Sequence, residues 1–276
     1  MIIRAEIPYL EDFMKTEING FEMAYTDTGS GTPLVFIHGF PLNRQIWQPQ
    51  MEAFKETHRV IAPDLRGHGD SQPIPGPYSV SLFARDVEAL LDHLGIERKI
   101  VLCGLSMGGY ICFEYFRKYP ERLAGLVLTA TWAEADTPEK RAGRDQSASN
   151  VLKNGVAPLA EGMLPLLLSP QTEQSNPAIV AEVAGILNGT SVEGTVGALQ
   201  AMRDRPDSTP TLAEINLPVF VIHGADDRII PFQEAEKMAA QIPQSKLVKI
   251  QNAGHLLNME KPAEFNAAFK DFLETL

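Results

Sequence analysis

Arg98-Lys99-Ile100-Val101-Leu102-Cys103, then Gly104-Leu105-Ser106-Met107-Gly108-Gly109, then Tyr110-Ile111-Cys112-Phe113-Glu114-Tyr115-Phe116-Arg117-Lys118-Tyr119 before Pro120 is the stretch that decides the fold. The first part is a short apolar run that reads as a buried strand. The last reads as a helix stopped by proline. A serine in a G-x-S-x-G turn between strand and helix is a nucleophile elbow. So sharp a turn holds the serine in a strained backbone conformation, and only glycine fits where chain approaches chain. The hydroxyl then stands at the tip of the turn, and the next N–H points out of a helix N-terminus towards developing negative charge. G-x-S-x-G alone recurs by chance, so the strand–turn–helix context carries the weight.

Working outward, residues 16–130 alternate strand-like and helix-like segments. Strands are predicted at 21–26, 34–37, 59–62, 99–103 and 123–129, and helices at 43–55, 80–94 and 106–119. Continuous apolar runs such as Leu34-Val35-Phe36-Ile37 suit strands buried on both faces, and alternation with helices implies a mostly parallel sheet between helical layers. Nothing helical lies between Glu17 and Ile37, so the first one or two strands are expected to pair antiparallel. Residues 132–211 break the rhythm with seven prolines and helically spaced apolar residues. They read as a helical lid inserted into a core made of 1–131 and 212–276. The rhythm resumes with a strand at 218–222, a helix at 233–241, a strand at 246–250 and a last helix at 262–276.

The chain's 276 residues are 44% hydrophobic and 21% charged, values of an ordinary soluble globular protein with ample core. A net charge of −11 argues against a nucleic-acid or anionic-membrane partner. Cys103 and Cys112 lie in the apolar strand and helix, as buried reduced thiols, and no metal-ligand spacing occurs. Residues 1–8 lack the apolar run of a secretory signal, and no stretch approaches a membrane span. A cytoplasmic protein without metal or organic cofactor, monomeric or dimeric, is the expectation.

A serine nucleophile needs a base. Of six histidines, His255 follows the strand at 246–250, at a carboxyl end where open parallel sheets carry their chemistry. His38 reads as structural, satisfying loop carbonyls. The base needs a buried acid, and Asp226 and Asp227 both follow the strand at 218–222. One of the pair is the acid and the other a solvated turn residue or a cap on the loop. Two backbone donors should face the tetrahedral intermediate: the N–H of Met107 and, after the strand at 34–37, that of Phe40, where Gly39 lets the chain bend.

Taken in order, these motifs resemble those of the α/β-hydrolase family over nearly the whole chain. His38-Gly39-Phe40-Pro41 resembles its oxyanion loop, Asp64-Leu65-Arg66-Gly67-His68-Gly69-Asp70-Ser71 its D-x-R-G-x-G-x-S loop, and Gly104–Gly109 its elbow. In His223-Gly224-Ala225-Asp226-Asp227-Arg228-Ile229-Ile230-Pro231 the acid lies three after the glycine and four before the proline, which selects Asp227. Ala253-Gly254-His255 resembles the closing histidine motif. The resemblance implies an eight-stranded, mostly parallel sheet with an inserted helical lid and a Ser106–Asp227–His255 triad. Ser106 in place of an elbow aspartate implies neither a haloalkane dehalogenase nor an epoxide hydrolase.

Within the family the chain is most similar to lid-bearing microbial carboxylesterases of short acyl esters, some of them thermophilic. That likeness rests on Ala130-Thr131-Trp132 entering the lid and Arg205-Pro206-Asp207-Ser208-Thr209 leaving it. It implies hydrolysis of a small ester through an acyl-enzyme. Alternatives are an enol-lactonase, a carbon–carbon bond hydrolase or a perhydrolase and, from another class, a small-ligand receptor or signalling protein. Phe40, Gly39, Leu105, Met107 and Trp132 are expected beside the substrate, in an enclosed apolar pocket suited to small uncharged esters.

Overall fold

Side chains alternate across a strand, so an apolar run long enough to fill both faces must be covered on both. In the computed structural model, residues 13–276 are described; residues 1–8, read above for a leader, lie outside them. The strands are β1 (Met14–Ile18), β2 (Phe21–Gly29), β3 (Pro33–Ile37), β4 (Arg59–Pro63), β5 (Ile100–Leu105), β6 (Leu123–Thr129), β7 (Val219–Gly224) and β8 (Ser245–Ile250). They form one eight-stranded sheet in the order β1-β2-β4-β3-β5-β6-β7-β8. β1 pairs antiparallel with β2 and β2 with β4, and every other pair is parallel.

The helices in chain order are α1 (Gln48–Phe54), α2 (Val80–His93), α3 (Met107–Lys118), α4 (Pro138–Asn154), α5 (Ala157–Leu167), α6 (Pro170–Ser175), α7 (Pro177–Asn188), α8 (Val192–Arg203), α9 (Thr209–Leu212), α10 (Phe232–Ala239), α11 (Leu257–Glu260) and α12 (Pro262–Leu273). None is long and apolar enough to cross a membrane. Val35, Ile37, Leu102, Leu126, Leu128 and Val221 face one core with α2 and α3. Their neighbours Leu34, Phe36, Val101, Cys103, Val127 and Phe220 face the other with α1 and α12. At about 1.5–3 kcal/mol for each fully buried large side chain, these two layers are the main stabilising term. Cys103 and Cys112 are buried and free.

Three elements depart from the sequence reading. β1 was not foreseen, because Met-Lys-Thr-Glu-Ile is mostly exposed and edge pairing alone orders it. The helix expected at 43–55 is a 3-10 turn over Arg44–Trp47 followed by α1, since Pro49 starts a new helix in its first turn. α11 is a short turn between the residues of the histidine loop and α12.

Helices α4 to α9 fill the interval between β6 and β7. α8 docks on the Asp64–Ser71 loop at a glycine-on-glycine contact. Gly67 has φ 75°, and a Cβ at Gly194 would overlap its carbonyl. Ser191 Oγ donates to the Gly67 carbonyl at 2.7 Å, and Thr190 Oγ1 to that of Pro41 at 2.7 Å. Gly194→Ala should therefore force α8 off the core, at a cost of about 1–3 kcal/mol by overpacking. Urea denaturation reads this directly, and an alanine variant as stable as the parent would show that the contact yields without cost.

Candidate active site

β5 lies at the centre of the sheet, hydrogen-bonded to β3 and β6, and the chain leaves it at Ser106 with φ 55° and ψ −113°. That is left-handed space, costly for a residue with a Cβ. Three bonds hold it there: Ser106 N–H to the Thr129 carbonyl at 2.9 Å, and the Ser106 carbonyl from Gly109 N–H at 2.9 Å and Thr131 Oγ1 at 2.8 Å. The flanking glycines are steric necessities. A Cβ at Gly104 would run into the Gly108 carbonyl, one at Gly108 into that of Ile37, and one at Gly109 into Thr131.

The loop after β3 lies directly behind the elbow. A Cβ on Gly39 would come within 3.0 Å of the Leu105 carbonyl and 3.1 Å of Ser106 Cβ. His38 holds this loop to the next: its Nδ1 donates to the Gly39 carbonyl at 2.9 Å and its Nε2 accepts from Leu65 N–H at 3.0 Å. The ring thus joins one carbonyl and one amide. Burial, with His68 beside it, holds His38 well below the ordinary imidazole value, and burial pushes His68 down to about 4. The D-x-R-G-x-G-x-S loop spends its polar groups on the frame. Asp64 accepts from the Arg44 and Asp70 amides at 2.7 and 2.8 Å, and Arg66 grips Asp86 with two 2.9 Å bonds. Met107 is the first residue of α3, where N–H groups have no intrahelical acceptor.

β7 and β8 deliver the other two side chains. Asp227 Oδ2 accepts from His255 Nδ1 at 2.8 Å and lies 3.1 Å from His223 Nε2, while Oδ1 accepts from the Ile229 and Ile230 amides at 2.8 and 2.9 Å. Burial alone would raise its pKa. The two imidazoles and their hydrogen bonds outweigh burial and hold the carboxyl well below the usual range. Asp226 is exposed and makes a backbone bond to Ala253, so the structure sets only Asp227 against His255.

Ser106 and His255 open onto one cavity of about 420 Å³. Phe40, Tyr110, Leu159, Met163, Leu199, Met202, Ile229 and Ile230 supply its apolar wall, with Trp132 where the chain enters α4. Two sequence expectations fail here. The side chains of Leu105 and Met107 are fully buried in opposite cores and do not line the cavity, because residues on either side of an elbow follow the alternation of strand and helix into the layers. Gly39 touches the elbow from behind. The wall is also not uniformly apolar, since α4 adds Lys140 and Arg144.

Glu260 was missed by sequence reading. Only 9% exposed, it accepts from Gly254 N–H through Oε1 and from Ser169 N–H through Oε2, both at 2.8 Å. It therefore ties the residue before His255 to the α5–α6 junction. A second tie runs from Leu256 N–H to the Leu167 carbonyl at 3.0 Å. No spacing rule marks a glutamate five residues after a histidine. Its position just ahead of Pro262, on a short turn closing back on its own loop, was the available signal.

Two expectations follow. Glu260→Ala strands two buried N–H groups and should cost roughly 3 kcal/mol, whereas Gln, with one acceptor oxygen, should fall between; paired denaturation curves decide it, and an alanine variant matching the parent would leave Glu260 without a positioning role. His38 and His68 are neutral in the folded chain but titrate near 6.5 once unfolded. The unfolded state then binds more protons, so stability is full above that value and falls as pH drops towards 4, by up to about 3 kcal/mol for His68 alone. His68→Asn should flatten that pH profile, and an unchanged slope would assign the loss to other groups.

A family model described as the alpha/beta hydrolase fold matches residues 32–163 and 170–262. The structure of a thermophilic esterase from Thermogutta terrifontis, solved with malate bound, superposes with a TM-score of 0.93 at 40% identity, covering 96% of this chain and 99% of that one. The 3-oxoadipate enol-lactonase 2 of Acinetobacter baylyi is 32% identical over 85% of this chain and 86% of its own length. The non-heme chloroperoxidase CPO-A1 of Kitasatospora aureofaciens is 31% identical over 95% and 98%. With its sheet order, its strained serine turn and these matches, the chain belongs to the α/β-hydrolase superfamily and is a hydrolase.

Proposed function

We propose that the protein is a serine carboxylesterase that cleaves small carboxylic esters through an acyl-enzyme. The observation that carries this reading is a single cavity holding both Ser106 and His255, with His255 Nδ1 fixed on Asp227 at 2.8 Å. That bond makes Nδ1 the donor and leaves Nε2 as the basic nitrogen. Ser106 Oγ attacks the ester carbonyl as His255 Nε2 takes its proton, and the imidazolium so formed is stabilised by buried Asp227. The N–H groups of Phe40 and Met107 receive the oxyanion. His255 then protonates the leaving alcohol and activates a water that releases the acid. Nothing in this cycle calls on a metal or an organic cofactor, and the partner is the ester itself.

The esterase from Thermogutta terrifontis supports this reading through its overall likeness. The lactonase relative supports a second, hydrolysis of an enol-lactone, which uses the same steps on a cyclic ester. Hydrolysis of p-nitrophenyl esters from acetate to laurate separates the two. Turnover should peak at short chains and fall by about 10⁴-fold or more in Ser106→Ala. A folded parent inert to every linear ester but active on an enol-lactone would give the site to the second reading.

A further inference from the structure

The cavity carries two cations and no carboxylate of its own lining. Lys140, Arg144 and Ser147 lie at i, i+4 and i+7 on α4, so one helical face presents them together, with Gly143 between adding no bulk. Among the described residues Arg144 commits only Nε, to Asp136 Oδ2 at 2.6 Å. Its two terminal nitrogens have no protein acceptor there. Asp136 is saturated, because Arg205 takes its other oxygen at 2.7 Å from a buried position that also donates to the Glu134 and Met202 carbonyls. Lys140 makes no ion pair among the described residues; its Nζ lies 3.5 Å above the Trp132 ring. Beyond partial burial, Asp136 and Arg205 act on it with opposite sign, and Glu134 and Glu234 act more weakly, Glu234 being itself paired with Lys237.

An arginine fork without an acceptor and an unpaired ammonium, facing one cavity with the serine, make an anion subsite. We infer that the preferred substrate carries a second, ionised carboxylate: a monoester of a short dicarboxylic acid, held by Arg144 and Lys140 while Ser106 attacks the ester end. This rests on the carboxylesterase reading and narrows its substrate class, against the uncharged esters expected from sequence. Hydrolysis consumes one water and yields an alcohol and a dicarboxylate. The chain's net charge of −11 opposes anions at long range, so recognition must come from this local pair.

Monomethyl succinate and its neutral counterpart methyl succinamate differ only in the charge at the far end, and methanol release measures both. The parent should favour monomethyl succinate, the preference fading as salt rises. The ratio of the two kcat/KM values should fall roughly fivefold in Lys140→Met and further in Lys140→Glu and Arg144→Gln. Succinate should inhibit competitively, and it should raise the melting temperature of Ser106→Ala but not of Ser106→Ala/Lys140→Glu. Equal rates on both esters with no response to succinate would overturn the subsite and leave the esterase reading standing. A parent that hydrolyses neither ester, yet is stabilised by succinate in a Lys140-dependent way, would support the subsite and sink the esterase reading.

Discussion

Ser106 occupies backbone space that a residue with a side chain enters at a cost of about 1–3 kcal/mol, and the middle of the molecule is built so that it has no alternative. Its own N–H and carbonyl are engaged by Thr129, Gly109 and Thr131. β5 feeds it from the centre of the sheet, where both neighbours are parallel and buried. α3 cannot withdraw from it, because Gly104, Gly108 and Gly109 have been reduced to backbone at three successive close approaches. The loop carrying Phe40 is seated against the same turn through Gly39. Ser106, the loop carrying Phe40 and the path of α3 are therefore one rigid object.

The acids of the chain's interior follow a common rule: a buried carboxylate is stable only when several donors meet it. Asp227 has His255, two amides and the His223 ring beside it, Asp64 has Arg44 and two amides, and Asp86 has Arg66 and Asn19. Asp136 and Glu260 obey the same rule with a further consequence. The first joins α4 to the end of α8 through Arg144 and Arg205, and the second joins the histidine loop to the α5–α6 junction. Through them the helices between β6 and β7 are tied to one another and to His255. The walls of the cavity and its chemistry thus share a frame.

The elbow was legible because its requirements are backbone requirements, and glycine at fixed offsets records them in sequence. Long apolar runs at 34–37, 99–103, 123–129 and 218–222 were legible for the same reason: a strand buried on both faces admits little else. The choice between Asp226 and Asp227 needed the family register, since both follow the same strand, and in the structure it is decided by burial and by which carboxylate meets His255. Leu105 and Met107 misled because adjacency in sequence was read as adjacency to the cavity, whereas a strand end and a helix start turn their side chains into the layers. Glu260, Lys140 and Arg144 were illegible singly. A glutamate's fold-back onto its own loop and the choice of which face of a seventeen-residue helix meets the serine are both set by tertiary packing.

Chemistry and recognition are consequently carried by different parts of the chain. The groups proposed to react, Phe40, Ser106, Asp227 and His255, come from the loops after β3, β5, β7 and β8, all fixed by the sheet. The cavity wall opposite them comes largely from α4, α5 and α8. The proposed sheet-borne triad would place the same demands on every acyl compound, but the wall that faces it can change charge at an exposed position such as Lys140 without disturbing a single bond of the elbow. Selectivity should therefore shift far more readily than mechanism. Under the proposed anion subsite, Lys140 and Arg144 on α4 set that selectivity, and Arg144 also ties α4 to α8 through Asp136.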